Sequence, residues 1–169
     1  MVALVAWLVP RERNTSDTRE GQALNGGLGS EADFGNETLR IGKEYWLSLP
    51  QAHNIGDEQV TILKARFVSL PKGLKLIGYK VVSTKDTDGY GMGTVLANSP
   101  DDEFTGGPKY SEKITVKAHG TAERYHVARL RVTGPITGDT SLCRFWYQKK
   151  TATYRQDLRC VDQLRLADN

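Results

Sequence analysis

The sequence predicts an all-β fold: an Ig-like antiparallel β-sandwich of about seven strands with an extended N-terminal arm. Three observations lead to this prediction. Several segments after residue 41 alternate apolar and polar side chains with the period of two that is typical of a half-buried strand. Glycine, proline, asparagine and aspartate bound these segments, as turn residues do. No long run combines the three-and-four apolar spacing of an amphipathic helix with a capping box, so the crossover helices of an α/β fold are not expected.

The chain begins with an almost wholly apolar stretch, "MVALVAWLVP". A helix needs about 20 apolar residues to cross a bilayer, so this stretch is too short to span one. Charged residues follow directly, and then a polar, glycine-rich stretch, which is the order found at the outer end of a membrane helix and its linker. We therefore expect residues 1–10 to be the remnant of a membrane anchor or, alternatively, a first strand. Residues 11–40 are expected to be a linker or an extended arm lying on the domain, and residues 41–169 to be the sandwich.

The first three predicted strands are "KEYWLSLP", "EQVTILKARFVSLP" and "GLKLIGYKVVS". Prolines end the first two, because proline cannot donate a hydrogen bond to a sheet. Between these two strands "HNIGDE" predicts a reversal, since Asn54 and Gly56 tolerate left-handed backbone angles. The reversal either pairs the two strands or carries the chain to the facing sheet. Alternation in the third strand places Ile77, Tyr79 and Val81 on one face.

Two later segments, "EKITVKAHG" and "YHVARLRVTG", alternate most clearly. In the first, Ile114 and Val116 point one way while lysines and a threonine point the other way. In the second, Ala128, Leu130 and Val132 point one way and two arginines point the other. Such patterns predict strands with one face in the core and one face in water. The segments "SLCRFWYQKK" and "ATYRQDLRCV" complete the set of strands as a hairpin.

The two cysteines, Cys143 and Cys160, flank this hairpin, which is expected to turn near "QKKTAT". If residue 148 lies opposite residue 155, Cys143 falls opposite Cys160, and a cross-strand disulfide becomes possible. It would close a loop of about 18 residues and stabilise the fold by about 3 kcal/mol in the chain-entropy model. The alternative is two free thiols in the core. No cysteine or histidine partners lie at the spacing of a zinc site.

The residues of the common catalytic and cofactor sites do not occur in their usual patterns. The three histidines form no HExxH motif, and no GxSxG elbow is present. The glycines of "NGGLG" and "DGYGMG" do not follow a strand and open a helix, as a phosphate-binding loop does. The net charge of +3 comes from 23 basic and 20 acidic residues with interspersed signs, which does not indicate a nucleic-acid-binding face. We therefore expect no enzymatic activity, no cofactor and no nucleic-acid partner.

Four residues are candidates for a ligand or partner surface: Trp46, Trp146, Asp86 and Asp88. Exposed aromatic rings on a sandwich stack on sugars or anchor a partner. Trp146 points opposite to its neighbour Phe145, so it is either exposed or directed to the second sheet. The segment "DTDG" resembles the start of a calcium loop, but alanine stands at the twelfth position, where the chelating glutamate belongs. The acidic residues at 101–103 are the remaining candidates to complete a site there, and a solvated turn is the alternative.

Two stretches carry a likeness to known proteins. They are "LPQAHNIGDEQVTILKARFVSLPKGLKLIGYKV", similar to the pattern "NxG…PVxLxxVxLxxxxGLxxxG", and "FWYQKKTATYRQDL", similar to a last hairpin; together they cover under a third of the chain. The family they resemble is that of extracytoplasmic domains of unknown function in actinobacterial membrane proteins and lipoproteins. The resemblance implies an N-terminal anchor, a Gly/Ser-rich linker and an Ig-like sandwich, and it implies no catalytic residues. This chain departs from the family in having "KKTA" at a turn that usually contains glycine, and in lacking a lipidation cysteine near its start.

These observations predict a noncatalytic, membrane-tethered binding or structural domain on the extracytoplasmic face of the cell membrane. Its expected partner is a protein or a cell-surface component. One alternative is a structural subunit of a larger assembly, such as a membrane complex or a phage or virus particle, that docks through its N-terminal arm. Another is a carbohydrate- or calcium-binding module.

Overall fold

The structure, a computed structural model, describes residues 18–26, 39–87, 93–138 and 142–160. This part of the chain contains eleven β-strands and one short 3-10 turn, Thr84–Asp86. The strands are β1 (Thr18–Glu20), β2 (Leu24–Gly26), β3 (Glu44–Ser48), β4 (Ala52–Asn54), β5 (Val60–Phe67), β6 (Lys72–Ser83), β7 (Thr94–Leu96), β8 (Ile114–Val116), β9 (Arg124–Thr137), β10 (Leu142–Lys149) and β11 (Ala152–Arg159). All seven predicted segments contain strands. The four additional strands, β1, β2, β4 and β7, have three residues each.

The strands form two large sheets and one small one. The five-stranded sheet has the order β1-β11-β10-β5-β8, the four-stranded sheet has the order β6-β9-β3-β7, and β2 pairs with β4. Every strand pair is antiparallel except β1 with β11, which is parallel. The predicted all-β sandwich is confirmed.

The core lies between the inner faces of the two large sheets. Val60 and Ile62 of β5 and Phe145 of β10 meet Leu47 and Leu130 of the other sheet in one cluster of buried side chains. Ile114, Val116 and Leu130 are at most 4% exposed, as the alternation predicts. Burial of apolar area of this kind is the main stabilising contribution to such a fold.

The reversal after β4 differs from the prediction in its chemistry. The chain leaves the four-stranded sheet at the end of β3, passes through β4 and enters the five-stranded sheet as β5. Asn54 and Gly56 are not among the residues with positive φ. Instead the buried side chain of Asn54 donates from Nδ2 to the carbonyl oxygens of Glu58 (2.8 Å) and Lys117 (3.0 Å), and its Oδ1 accepts from the N–H of Gly56 (3.0 Å). Asn54 therefore organises the reversal through side-chain hydrogen bonds rather than through its backbone angles.

The prediction that Ile77, Tyr79 and Val81 share one face is wrong. The register between β6 and β9 shifts between Leu76 and Gly78, so Ile77 is an extra residue opposite no partner. Ile77 is 44% exposed, whereas Val81 is buried. A bulge of this kind inserts one residue and reverses the side-chain alternation beyond it.

The β10–β11 hairpin contains the predicted disulfide, in a different register. Gln148 pairs with Thr153, and Cys143 pairs with Leu158, so the prediction that residue 148 opposes residue 155 is wrong by two positions. The turn is shorter than expected because Lys150, with φ of +53°, takes the left-handed conformation that glycine usually supplies. Cys160 follows the end of β11, and it forms the disulfide with Cys143 at a Cα–Cα distance of 5.5 Å.

Residues 18–26, within the predicted linker or arm, lie on the sandwich. Leu24 is buried in the main core. The hydroxyl of Tyr147 accepts from the N–H of Ala23 (3.1 Å), and the side-chain amide of Gln156 bonds both the N–H and the carbonyl of Leu24. A Cβ at Gly21 would overlap the hydroxyl of Tyr147, so this part of the chain approaches the core as closely as glycine allows. Residues 1–10 lie outside the described part of the chain.

Candidate ligand-binding face

The outer face of the five-stranded sheet presents its side chains in three cross-strand rows. The polar row consists of Thr115, Thr61, Gln148, Thr153 and Thr18, one residue from each strand. The tryptophan row consists of Lys64, Trp146, Arg155 and Glu20. The ion-pair row consists of Arg144 and Asp157, with Arg66 at the next position on β5. The guanidinium of Arg66 reaches Glu112 and lies 4.3 Å from the ring centroid of Tyr79 on β6.

Strand alternation explains why these residues face outward. On β10, Phe145 and Tyr147 are each 1% exposed and fill the core, so Trp146 and Gln148 between and beyond them point away from it. On β5, Val60 and Ile62 are likewise buried, so Thr61 points outward. The register between β5 and β10 shifts at Leu63, and this bulge reverses the alternation, so that beyond it Ala65 is buried and Lys64 points outward. The register of the five strands then aligns the outward residues, although their positions in the chain run from 18 to 157.

The side chains of the polar row are uncharged and accessible. Thr115 and Gln148 are exposed, and Thr61, Thr153 and Thr18 are partly exposed. Within the described residues, no side-chain hydrogen bond joins any of the five to another protein group. Threonine hydroxyls and the glutamine amide both donate and accept hydrogen bonds, so the row offers groups of both kinds to a ligand.

The cationic group of Lys64 lies over the ring of Trp146. The ammonium of Lys64 lies 4.4 Å from the ring centroid, within the range of a cation–π interaction. Across the other edge of β10, Arg155 pairs with Glu20 of the N-terminal strand at 2.6 Å. Trp146 is partly exposed, which confirms that it lies outside the core.

The ion-pair row is electrostatically balanced. Arg144 binds Asp157 through two hydrogen bonds of 2.7 and 2.8 Å, and Arg66 binds Glu112 at 2.7 Å. The hydrogen bond with Arg144 lowers the pKa of Asp157, and the same bond raises the pKa of Arg144. Both groups stay charged near neutral pH, so their charges largely cancel.

An open depression borders the polar row on the side away from Trp146. It is lined by Glu58, Gln59, Thr61, Gln148 and Lys150. Glu58 pairs with Lys150 at 2.6 Å and with Lys149 at 3.3 Å. Hydrogen bonds from these two lysines lower the pKa of Glu58, which keeps the carboxylate ionised.

Trp46, the other predicted surface tryptophan, does not lie at the surface. It is 6% exposed on the outer face of the four-stranded sheet, where Phe104 from residues 97–110 covers it. Its indole N–H donates to the hydroxyl of Thr105 (3.2 Å), and the cationic groups of Lys80 and Arg129 lie 5.9 and 5.5 Å from its ring centroid. The expected exposure fails because the long loop packs on this sheet. Trp46 and Trp146 lie on opposite sides of the sandwich, so the structure does not bring them together.

The acidic residues proposed for calcium have other partners. Asp86 is exposed, and its carboxylate accepts from the hydroxyl of Tyr110 at 2.6 Å. Asp102 accepts from the backbone N–H groups of Asn98, Phe104 and Thr105 and so holds its own loop together. Burial alone would raise the pKa of Asp102, but the hydrogen bond from the hydroxyl of Thr105, together with those from the backbone N–H groups, holds it below its ordinary value. Among the described residues no three carboxylate, histidine or cysteine groups come together as metal ligands, and Asp88 lies outside them.

Comparison of the chain with protein-family models finds no match, and neither does comparison with curated proteins or with solved structures. The resemblance to actinobacterial extracytoplasmic domains therefore stays a prediction. In the part of the chain that the structure describes, no helix is long and apolar enough to cross a membrane.

Sequence reasoning identified Trp146 and missed the polar row. Three members are threonines between apolar neighbours, in "VTI", "ITV" and "ATY", whereas Gln148 is followed by a lysine and Thr18 lies between two charged residues. The local signal for an outward-facing polar residue was present on each strand except β1, whose three residues are all polar. What was missing was the register that aligns the five residues, because register depends on pairing between distant segments.

Proposed function

We propose that this chain is a noncatalytic binding domain that acts on the extracytoplasmic face of a cell membrane. In this proposal the N-terminal segment tethers the domain, and the outer face of the five-stranded sheet meets a protein or a cell-surface component. Hydroxyl, amide, aromatic and paired charged groups on one open sheet face are suited to recognition, since they provide directional contacts over a wide area.

The disulfide between Cys143 and Cys160 is the observation that supports a location outside the cytoplasm. Disulfides persist in oxidising compartments and are rare in the cytosol, where thiol systems keep cysteines reduced. This bond fastens the end of β11 to β10, the two strands that carry the centre of the candidate face. A domain held together in this way is suited to work outside the cytoplasm.

The compartment is tested on protein isolated from its native cells. Cells are lysed in the presence of a thiol-alkylating reagent, and the protein is weighed by mass spectrometry before and after reduction. We expect no alkylation of Cys143 and Cys160 before reduction and alkylation of both after it. Fractionation should place the protein with the membrane, where a protease added to intact cells cleaves it. Two alkylated cysteines without reduction, or protection from the external protease, would contradict the proposal.

A second candidate function is a structural subunit that assembles through its N-terminal arm. The supporting observation is that β1 adds to the edge of the five-stranded sheet in parallel, with Leu24 inserted in the core. Edge strands readily accept a strand from another chain, so the same contacts are available between copies.

The variant Gly21→Ala tests this second function, because its Cβ overlaps Tyr147 and displaces the arm. The matched control is Gly134→Ala, where a Cβ meets no atom within 4 Å. If the arm mediates assembly, size-exclusion chromatography should show that Gly21→Ala changes the oligomeric state while Gly134→Ala does not. A monomer for the wild-type chain and for both variants would remove this candidate.

A further inference from the structure

We propose that the outer face of the five-stranded sheet binds an uncharged polysaccharide, which lies along the polar row. This inference rests on the proposed function, because it names the cell-surface component that the face recognises. It depends on the alignment of Thr115, Thr61, Gln148, Thr153 and Thr18 across all five strands.

The chemistry of the row matches that of a polyhydroxylated chain. Sugar hydroxyls both donate and accept hydrogen bonds, and so do the threonine hydroxyls and the amide of Gln148. None of the five carries a charge, so binding requires no counter-charge on the ligand. Since no described residue occupies these groups, a ligand replaces water at them without breaking protein hydrogen bonds.

The dimensions of the row favour an extended, repeating ligand. Neighbouring strands lie about 4.8 Å apart, so five strands place the first and last side chains ~19 Å apart. The hydrogen-bonding groups recur once per strand, at a spacing close to the length of one pyranose unit. The row ends at the sheet edges formed by β8 and β1, and a chain can therefore extend past both ends.

The surroundings of the row add an aromatic platform and a polar recess. Trp146 lies two residues before Gln148 on β10, so its ring borders the row. Aromatic rings provide large, rigid contact surfaces for the C–H faces of sugars. Lys64 reaches that ring with a flexible side chain, whose ammonium can move aside or donate to a sugar hydroxyl. On the opposite side, the depression lined by Glu58 and Lys150 has room for a substituent.

The charge and the apolar surface argue for a neutral glycan over other partners. The carboxylates of Glu20, Asp157 and Glu112 are paired with arginines, so an anionic polymer would have to displace them to reach those arginines. The exposed lysines Lys64, Lys113 and Lys117 also belong to this side of the sheet, which is why an anionic polysaccharide is included in the test. The exposed apolar residues at the end of this sheet, Val68 and Leu142, lie beyond the ion-pair row, at the far side from the polar row. A protein partner seated on the polar row would meet few apolar groups there, namely Trp146 and the partly exposed bulge residue Leu63.

Affinity gel electrophoresis tests the inference with the full chain and named polysaccharides. Native gels contain soluble β-glucan, xylan, mannan, galactan or α-glucan, and polygalacturonate serves as the anionic comparison. We expect at least one neutral polysaccharide to retard the protein, with little dependence on salt.

The triple variant Thr61→Val, Gln148→Met and Thr153→Val removes three hydrogen-bonding groups while keeping side-chain size and strand propensity. We expect it to weaken binding about tenfold or more.

Controls separate this inference from folding and from the proposed function. Thr133→Val makes the same change on an exposed threonine of the four-stranded sheet and should leave retardation unchanged. Circular dichroism checks that each variant is folded. No retardation by any neutral polysaccharide, equal retardation of the triple variant, or retardation by polygalacturonate alone would each overturn the glycan inference. Capture of a protein partner that the triple variant loses would also overturn it, but it would leave the proposed binding function intact. Alkylated cysteines in native cells would instead remove the proposed function.

Discussion

The outer faces of the two sheets each carry a tryptophan, and the two tryptophans have opposite fates. Trp46 on the four-stranded sheet is buried beneath Phe104, whereas Trp146 on the five-stranded sheet remains partly exposed. Both have cationic groups within 6 Å of the ring, so local side-chain chemistry does not distinguish them. The difference lies in residues 97–110, which pack on one face and leave the other open. An outward-pointing side chain is thus not the same as an exposed one, and a loop decides between the two.

Truncation of the two tryptophans should show the largest contrast. Trp46→Ala removes a buried ring and the hydrogen bond to Thr105, and we expect it to cost about 3–5 kcal/mol. Trp146→Ala removes a partly exposed ring and should cost about 1 kcal/mol. Urea denaturation of both variants measures the free energies of unfolding. Equal costs would show that the two faces are equally covered in solution.

The interior between the sheets should respond to pH through His126. This residue is 1% exposed, and burial, together with the positive charge of Arg66, lowers its pKa from 6.5 to about 4. The folded state keeps the imidazole neutral, so between pH 6.5 and 4 the unfolded chain binds more protons and stability falls as pH falls. The gap between the two pKa values corresponds to about 3 kcal/mol.

Chemical denaturation of the wild-type chain and of His126→Leu, at several pH values from 7 to 4, measures this effect. The wild-type chain should lose more stability than the variant, and the difference should grow towards low pH. Carboxylates such as Asp157 also lose stabilising interactions in acid, but they do so in both proteins, so the difference isolates the histidine. Parallel pH profiles would contradict the assignment.

Removal of the Asp102 carboxylate should be enough to loosen the loop that covers Trp46 on the four-stranded sheet. Asp102→Ala removes the acceptor of the backbone N–H groups of Phe104 and Thr105, and we expect it to cost about 1–2 kcal/mol. The loop should then uncover Trp46. In a background of Trp7→Phe and Trp146→Phe, where Trp46 alone fluoresces, acrylamide should quench the variant more strongly. Asp101→Ala changes an exposed neighbour and should leave the quenching unchanged.

The ion pairs on the outer face of the five-stranded sheet should contribute least to the free energy of unfolding. Arg144 and Asp157 form a bidentate pair, but both side chains are about one-third exposed, at 32% and 30%. A double-mutant cycle with alanine at each position should give a coupling of about 0.2–1 kcal/mol, which decreases as salt is added. A larger, salt-independent coupling would indicate that this face is covered in solution as well.

The hairpin and the polar row show that the register between strands could not be predicted from the sequence. Alternation placed Cys143 on the same face as its partner, and the disulfide followed, but the register was wrong by two positions. Nothing in "KKTA" signals that Lys150 adopts a positive φ, since a lysine takes that conformation only when the surrounding structure compensates for it. β7 was missed because "TVL" lies in a glycine-rich stretch without alternation, whereas the equally short β8 lies within a longer alternating run.

The sequence by itself determined which side chains point inward where a segment alternates without a bulge, as at Ile114 and Val116, because the period of two is a property of the local backbone. It also determined the class of fold, since no helical pattern competed with that alternation. Only the tertiary structure decided that Trp46 is covered, that Trp146 is open, and that five polar residues from five strands form one row. Apart from the hairpin pairing of Gln148 with Thr153, these outcomes depend on contacts between segments more than 40 residues apart in the chain, as between Thr61 and Thr115. Such contacts leave no mark in either segment alone.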